Sequence, residues 1–126
     1  MNFDVAFASL LKRTGAGVGL DGLRDLLARL GNPQEKYRIL HVAGTNGKGT
    51  VCTLLARTAT AAGDKTGLFV SPHLVSPTER IEIDGKPISK QAFCHAVSAV
   101  LQAEEAPLNF FEILTAAALL YFARQG

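Results

Sequence analysis

The chain has 126 residues, of which 48% are hydrophobic and 19% are charged, a composition typical of an ordered domain with one core. Its formal net charge of +2, without a cluster of basic residues, argues against a nucleic-acid partner. No apolar run approaches the ~20 residues that a membrane span requires, so no membrane partner is expected. Two widely separated cysteines and the lack of a signal peptide predict a cytoplasmic protein.

Two helices and a strand are predicted before the glycine-rich part of the chain. Residues 3–13 predict a short helix, and three glycines within residues 14–20 then predict a loop. Leucines recur at helical spacing through residues 20–30, and Gly31 and Pro33 end that pattern. The apolar run YRILHVA, residues 37–43, is typical of a buried strand.

A helix and a second strand are predicted after the stretch GTNGKGT. Val51, Leu54 and Leu55 lie on one face of this helix, together with Thr58 and Ala62, and Gly63 occupies the place of its C-terminal cap. The run TGLFV, residues 66–70, predicts another buried strand. Strand, helix and strand within about thirty residues predict a βαβ unit, and therefore a parallel sheet.

The remaining segments predict one short strand and two helices. RIEID predicts the strand, and Asp84-Gly85 predicts a turn. A helix capped by Ser89 follows, and residues 109–125 form a strongly apolar helix that leads to no further strand. Because a parallel sheet needs cover on both faces, the pattern predicts the N-terminal part of something larger, with an apolar patch left on the last helix.

The stretch GTNGKGT, residues 44–50, has the parts of a phosphate-binding loop. Its three glycines allow backbone N–H groups to point into one concavity, and the helix that follows adds its positive end. Lys48 supplies a cation and Thr50 a hydroxyl for Mg²⁺. The stretch departs from G-x-x-x-x-G-K-[ST], because valine stands at the place of the first glycine and the hydroxyl comes one residue late. The alternative interpretation is a glycine-rich turn with a solvated lysine.

The sequence HVAGTNGKGT resembles the ATP loop of the Mur ligase superfamily. The stretches GVGL, LARLGNPQ, SPHLVSPTERIEIDGKPI and NFFEILTAAAL narrow the resemblance to the folylpolyglutamate synthase/dihydrofolate synthase family. This resemblance covers essentially all residues and implies an α/β fold of the Mur ligase central-domain type, a P-loop-containing parallel sheet flanked by helices that is incomplete in this chain. Residues 1–126 would be the N-terminal portion of the ATP-binding domain, without the rest of it and without the C-terminal glutamate-binding domain.

The resemblance also implies roles for individual residues. Lys48 would be catalytic, at the transferring phosphoryl group. The ATP phosphates would be bound by Gly44, Thr45, Asn46, Gly47, Lys48, Gly49 and Thr50. Mg²⁺ would be held by Thr50 and Ser71. The pterin–benzoate pocket would be lined by Gly17, Val18, Gly19, Leu20, Asn109, Phe110, Phe111 and Glu112, where relatives often have threonine at position 109.

The implied reaction is ATP-driven amide-bond formation. The carboxylate of dihydropteroate or folate is phosphorylated, and the amine of L-glutamate then displaces phosphate. The expected partners are these small molecules, and the full-length protein is expected to be a monomer. This chain alone is expected to be inactive, because the family's acidic metal ligand and glutamate site lie outside residues 1–126. The alternatives are a Mur-type peptidoglycan ligase, against which SPHL and ERIEIDG argue, and a non-catalytic nucleotide-binding module.

Overall fold

The computed structural model describes residues 4, 5, 8, 21–42, 47–70, 80–104 and 108–125. The described helices are α1 (Asp21–Arg29), α2 (Lys48–Ala61), α3 (Lys90–Ala103) and α4 (Phe110–Gln125), with a 3₁₀ turn at Pro33–Glu35. The described strands are β1 (Gly67–Phe69), β2 (Ile81–Ile83) and β3 (Lys86–Pro87). None of the described helices is long and apolar enough to cross a membrane.

The chain divides into two compact units, of which the first comprises residues 1–38 and 90–126 and the second residues 39–89. In the first unit α1 buries Leu26 and Leu27, as its leucine spacing predicts. Gly31 adopts a φ of 86°, and the N–H groups of Gly31 and Asn32 donate back into the last turn of α1. These bonds form a Schellman motif, which confirms the predicted end of the helix. Residues 4, 5 and 8 are helical, and the rest of the first predicted helix lies outside the described residues.

Helices α3 and α4 pack on each other and provide most of the buried side chains of the first unit. The buried residues of α3 are Phe93, Cys94, Ala96, Val97 and Val100. Those of α4 are Ile113, Leu114, Ala116, Ala117, Ala118 and Leu120. The prediction that the last helix leaves an apolar patch exposed is therefore wrong. The preceding helix α3, together with α1 and the 3₁₀ turn, covers α4, and a repeat pattern within one helix does not reveal such partners.

The second unit contains a small antiparallel sheet with the order β1-β2-β3. Leu68 pairs with Glu82, and Ile83 with Lys86. Asp84 and Gly85 have φ values of 51° and 83°, which is the type I′ turn that the sequence Asp-Gly favours between two strands. The strands in TGLFV and RIEID and the turn are therefore confirmed, but the described strand pairs are antiparallel.

The predicted buried strand at residues 37–43 is wrong for residues 37–42, and Ala43 lies outside the described residues. Residues 37–42 belong to no strand, and the side chains of Ile39 and Leu40 are 54% and 82% exposed. An apolar run becomes a strand only when a neighbouring strand completes its hydrogen bonds. The described part of the chain supplies no such neighbour for this run.

Helix α2 forms where the sequence predicts it, but the predicted apolar face is exposed. Val51, Leu54 and Leu55 are 47%, 66% and 43% exposed, and no residue of α2 is buried. Helical spacing shows which residues share a face, whereas burial depends on a partner for that face. Gly63 has a φ of 98° and closes the helix with a second Schellman motif, as predicted.

Candidate functional site

The described part of the phosphate loop is the beginning of α2. Gly47 precedes the helix with φ 75° and ψ 6°, a left-handed conformation that glycine adopts without steric cost. Its carbonyl oxygen accepts the N–H of Val51 at 3.0 Å, the first bond of the helix. Lys48, Gly49 and Thr50 form the first turn and are all exposed. The loop thus presents three consecutive predicted ATP-binding residues to solvent.

This helix terminus has the charge and the free donors of an anion site. Its N-cap residue, Gly47, has no side chain to cap it, no side-chain cap is present among the described residues, and no acidic residue lies in its first turn. The first N–H groups of a helix have no partner within the helix, and the helix dipole places partial positive charge on them. Lys48 adds a full positive charge to the same turn. A phosphate group fits these donors by charge and by hydrogen bonding.

The space around Gly49 also supports an anion site at the start of α2. A Cβ at Gly49 would meet nothing within 4 Å, and its φ is not positive. Neither protein packing nor backbone geometry therefore requires glycine here, although glycine within a helix costs about 1 kcal/mol relative to alanine. What the missing side chain does provide is open space beside the N–H groups of the first turn.

An open groove of about 590 Å³ runs along one side of α2 from this turn. Its lining residues are Gly49, Thr50, Thr53, Leu54 and Arg57. The last three, Thr53, Leu54 and Arg57, are not among the site residues that the sequence predicts. Their spacing of three, four and seven residues from Thr50 places them on the same helix face, a signal that was present in the sequence.

The predicted metal ligands are only partly described. Thr50 exposes a hydroxyl on the first turn of α2, and oxygen is the donor that Mg²⁺ prefers, so this residue fits the ion by donor type. Ser71 lies outside the described residues. Among the residues that the structure describes, no group of three or more His, Cys, Asp or Glu side chains could hold a metal ion.

The predicted substrate residues that the structure describes, Asn109 to Glu112, lie at the beginning of α4. The N–H of Glu112 donates to Asn109 Oδ1 at 2.8 Å, and the N–H of Asn109 donates to Glu112 Oε1 at 3.1 Å. These reciprocal bonds form a capping box, with Asn109 as the N-cap. Phe110 is half-buried, whereas Phe111 is 51% exposed and presents its ring on the first turn.

The described site residues therefore form two local sets, one in each compact unit. Gly47, Lys48, Gly49 and Thr50 lie together at the start of α2. Asn109, Phe110, Phe111 and Glu112 lie together at the start of α4. The other predicted site residues lie outside the described residues, namely Gly17, Val18, Gly19, Leu20, Gly44, Thr45, Asn46 and Ser71.

No protein-family model matches the chain. Among curated proteins, it is 40% identical over 116 residues to the dihydrofolate synthase/folylpolyglutamate synthase of Bacillus subtilis, covering 86% of this chain and 27% of that protein. The chain thus spans about a quarter of the length of this relative.

Solved structures show the same likeness. Folylpolyglutamate synthetase from Lactobacillus casei matches with a TM-score of 0.94 and 34% identity over 99% of this chain and 34% of that one. E. coli FolC in complex with DHPP and ADP matches with a TM-score of 0.93 and 32% identity over 99% of this chain and 31% of that one. The sequence and backbone likenesses both cover most of this chain and agree with the loop, turns and helices described above. The chain belongs to the folylpolyglutamate synthase/dihydrofolate synthase family.

Proposed function

We propose that this chain is the phosphate-binding part of an ATP-dependent ligase that adds L-glutamate to dihydropteroate or to folates. The observation that carries the proposal is the beginning of α2, where Gly47 is left-handed, no described side chain caps the helix, and Lys48 and Thr50 are exposed. The E. coli relative, whose structure contains ADP and DHPP, supports the ligand classes. The parallel P-loop sheet of the Mur ligase type belongs to the same proposal, as do a cytoplasmic setting and a monomeric state of the full-length protein.

In this proposal the chain's own residues bind and orient the nucleotide. The free N–H groups of the first turn of α2 donate to phosphate oxygens. Lys48 neutralises charge on the phosphoryl group that passes to the substrate carboxylate. The amine of L-glutamate then attacks the acyl phosphate, forms the amide bond and releases phosphate. Nucleotide binding is the step of this proposed reaction that can be measured directly with residues 1–126.

Mg²⁺ is part of the proposal, with Thr50 and Ser71 as the residues that would hold it. The ion would supply positive charge at the phosphate oxygens. At Thr50 the chain contributes a hydroxyl oxygen next to Lys48, on the turn that provides the phosphate donors. The pterin–benzoate pocket remains a prediction for Gly17 to Leu20 and Asn109 to Glu112, and Phe111 offers the exposed ring.

Titration of ATP in the presence of Mg²⁺ into the wild-type chain and a Lys48→Ala variant tests this function. The variant is expected to bind about 10- to 100-fold more weakly, because it loses a charge-assisted contact to phosphate. Calorimetry or a fluorescent ATP analogue measures the affinity. Lys36→Ala is the matched control, since Lys36 is also exposed but lies in the first unit.

A Gly49→Ala variant distinguishes an effect on the stability of α2 from an effect on ATP binding in the same experiment. Alanine should stabilise α2, because nothing obstructs its Cβ and helix propensity favours it by about 1 kcal/mol. The same Cβ should weaken ATP binding by occupying the space beside the donors. Equal affinity of the wild type, Lys48→Ala and Gly49→Ala would show that GTNGKGT is only a turn.

A further inference from the structure

We infer that Arg57 is a positioning residue for the phosphate end of α2, a role that rests on the proposed nucleotide site. Arg57 holds the turn between β2 and β3 against α2 and so sets the direction of this helix relative to the sheet. It lies on the same helix face as Thr50 and Thr53 and lines the same groove. The guanidinium of Arg57 contacts Glu82 and the place of a Cβ on Gly85, and neither residue belongs to the phosphate loop.

The guanidinium of Arg57 meets the β2–β3 hairpin at two points. Its Nη2 lies 3.9 Å from Oε1 of Glu82 on β2, a buried oxygen without a hydrogen-bond partner among the described residues. A buried carboxylate oxygen needs a nearby cation, and Arg57 supplies one. The guanidinium also occupies the place that a Cβ on Gly85 would take. Glycine is therefore required at position 85 for two reasons. It adopts the positive φ of the turn, and it leaves room for the guanidinium of Arg57.

Asp84 provides a second connection between the turn and the end of α2. Its Oδ1 accepts the N–H of Thr66 at 2.7 Å and the hydroxyl of Thr60 at 3.4 Å. Its own N–H donates to the carbonyl oxygen of Thr66 at 2.8 Å. Thr60 lies three residues beyond Arg57, so both connections join the C-terminal half of α2 to the same turn.

These polar contacts add to the packing of α2 on β1, which leaves no residue of the helix fully buried. Lys48 lies nine residues before Arg57, which is about 13 Å along a helix with a rise of 1.5 Å per residue. A tilt of about 5° at Arg57 would move the first turn by about 1 Å. Binding sites tolerate displacements of only about 0.5 Å, so a small error at the turn is amplified at the phosphate end.

The direction of α2 matters relative to the sheet of β1, β2 and β3. β1 pairs with β2, which leads directly into the turn. The N–H of Val70, the residue before Ser71, donates to the carbonyl oxygen of Arg80 at 2.9 Å. Thr50, the proposed Mg²⁺ ligand that the structure describes, lies on the first turn of α2. A tilt of α2 relative to the sheet would move its hydroxyl, so Arg57 should affect binding that depends on Mg²⁺ more than binding that does not.

The experiment measures the Mg²⁺ enhancement of ATP binding, the ratio of the dissociation constants without and with Mg²⁺. Arg57→Met removes the charge and keeps the length of the stem, whereas Gly85→Ala keeps the charge and displaces the guanidinium. Both should lower the enhancement about tenfold, the usual cost of losing support for a metal ligand. Arg57→Lys should recover only part of it, because lysine lacks the planar fork.

Gly31→Ala is the matched control. Gly31 has a φ of 86°, close to the 83° of Gly85, but a Cβ there meets nothing within 4 Å. It should lower the melting temperature through backbone strain and leave the Mg²⁺ enhancement unchanged. Unchanged enhancement in Arg57→Met and Gly85→Ala would overturn the inference and leave Arg57 a merely structural role. Equal ATP binding by the wild type and Lys48→Ala would instead overturn the nucleotide site, and the inference with it.

Discussion

Tyr37 connects the segment that precedes the phosphate loop to the core of the first unit. Its hydroxyl donates to the carbonyl oxygen of Leu119 at 2.8 Å, and its ring meets Phe122 edge-on with centroids 6.2 Å apart. Burial raises the pKa of Tyr37 from 10.0 to about 12. The sequence alone suggested a strand residue here, whereas the structure assigns Tyr37 an anchoring contact with a helix more than eighty positions later in the chain.

A Tyr37→Phe variant should lose stability at neutral pH and should change how stability depends on alkaline pH. At pH 7 the lost hydrogen bond should lower the free energy of unfolding by about 1 kcal/mol. Because the pKa of Tyr37 is raised in the folded state, its stabilising contribution is complete below pH 10 and declines as the pH rises towards 12. The difference between wild type and variant should therefore shrink across this range. Urea unfolding of both proteins at pH 7 and pH 11 measures it, and a constant difference would contradict the assignment.

Helices α2 and α4 differ in how many residues they bury and in whether a side chain caps their N-terminus. α4 buries six residues in the first unit, and its N-terminus is closed by side chains of the chain itself. α2 buries none, and no side chain of the described residues caps its N-terminus. A helix that leaves its first donors free while presenting a lysine is suited to an anionic ligand. This contrast between elements separates the candidate phosphate site from an ordinary helix start.

Asn109→Ala should lower the free energy of unfolding by about 1 kcal/mol, the usual cost of losing an N-cap. The acceptor for the N–H of Glu112 would be lost at the start of a helix that supplies much of the core. Asn109→Ser is the matched control, because serine also caps and should retain most of the stability. Chemical denaturation measures both variants. Equal destabilisation by alanine and serine would show that the bond to Glu112 does not explain the effect.

At the scale of the whole molecule, large exposed apolar side chains are concentrated in the second unit. They are Ile39, Leu40, Val51, Leu54 and Leu55. Exposed apolar surface promotes association between molecules. The first unit, in contrast, buries the apolar helix for which the sequence predicted exposure. Among the described residues, the tendency to associate is therefore expected to come mainly from residues 39–55.

Leu40→Glu should reduce self-association of this chain and leave its stability within about 0.5 kcal/mol of the wild type, because Leu40 is 82% exposed. Sedimentation velocity over a concentration series measures association, and thermal melting measures stability. Gln102→Glu is the matched control, since Gln102 is exposed and the change adds a carboxylate without removing apolar surface. An equal effect of the two variants would attribute the change to net charge.

The sequence by itself determined the features that depend on a few neighbouring residues. Gly31, Gly63 and Asp84-Gly85 ended or turned the chain as predicted, because the energy of a positive φ is local. Helical spacing located α1 to α4 for a similar reason. The glycines and the lysine of GTNGKGT identified the candidate phosphate site, since the donors come from one turn. NFFE also carried the signature of a capping box. The family resemblance instead led to its interpretation as part of the pterin–benzoate pocket.

Only the tertiary structure decided which of these surfaces are covered and which strands pair. Helix α4 is buried and the apolar face of α2 is exposed, although both carry apolar residues, because burial depends on partners outside the helix itself. β1 pairs antiparallel with residues 81–83, whereas the sequence suggested a parallel sheet. The position of Arg57 over Gly85 arises in the same way. Two segments, each with a local preference of its own, are brought into contact by the fold, and periodicity within either segment carries no information about the other.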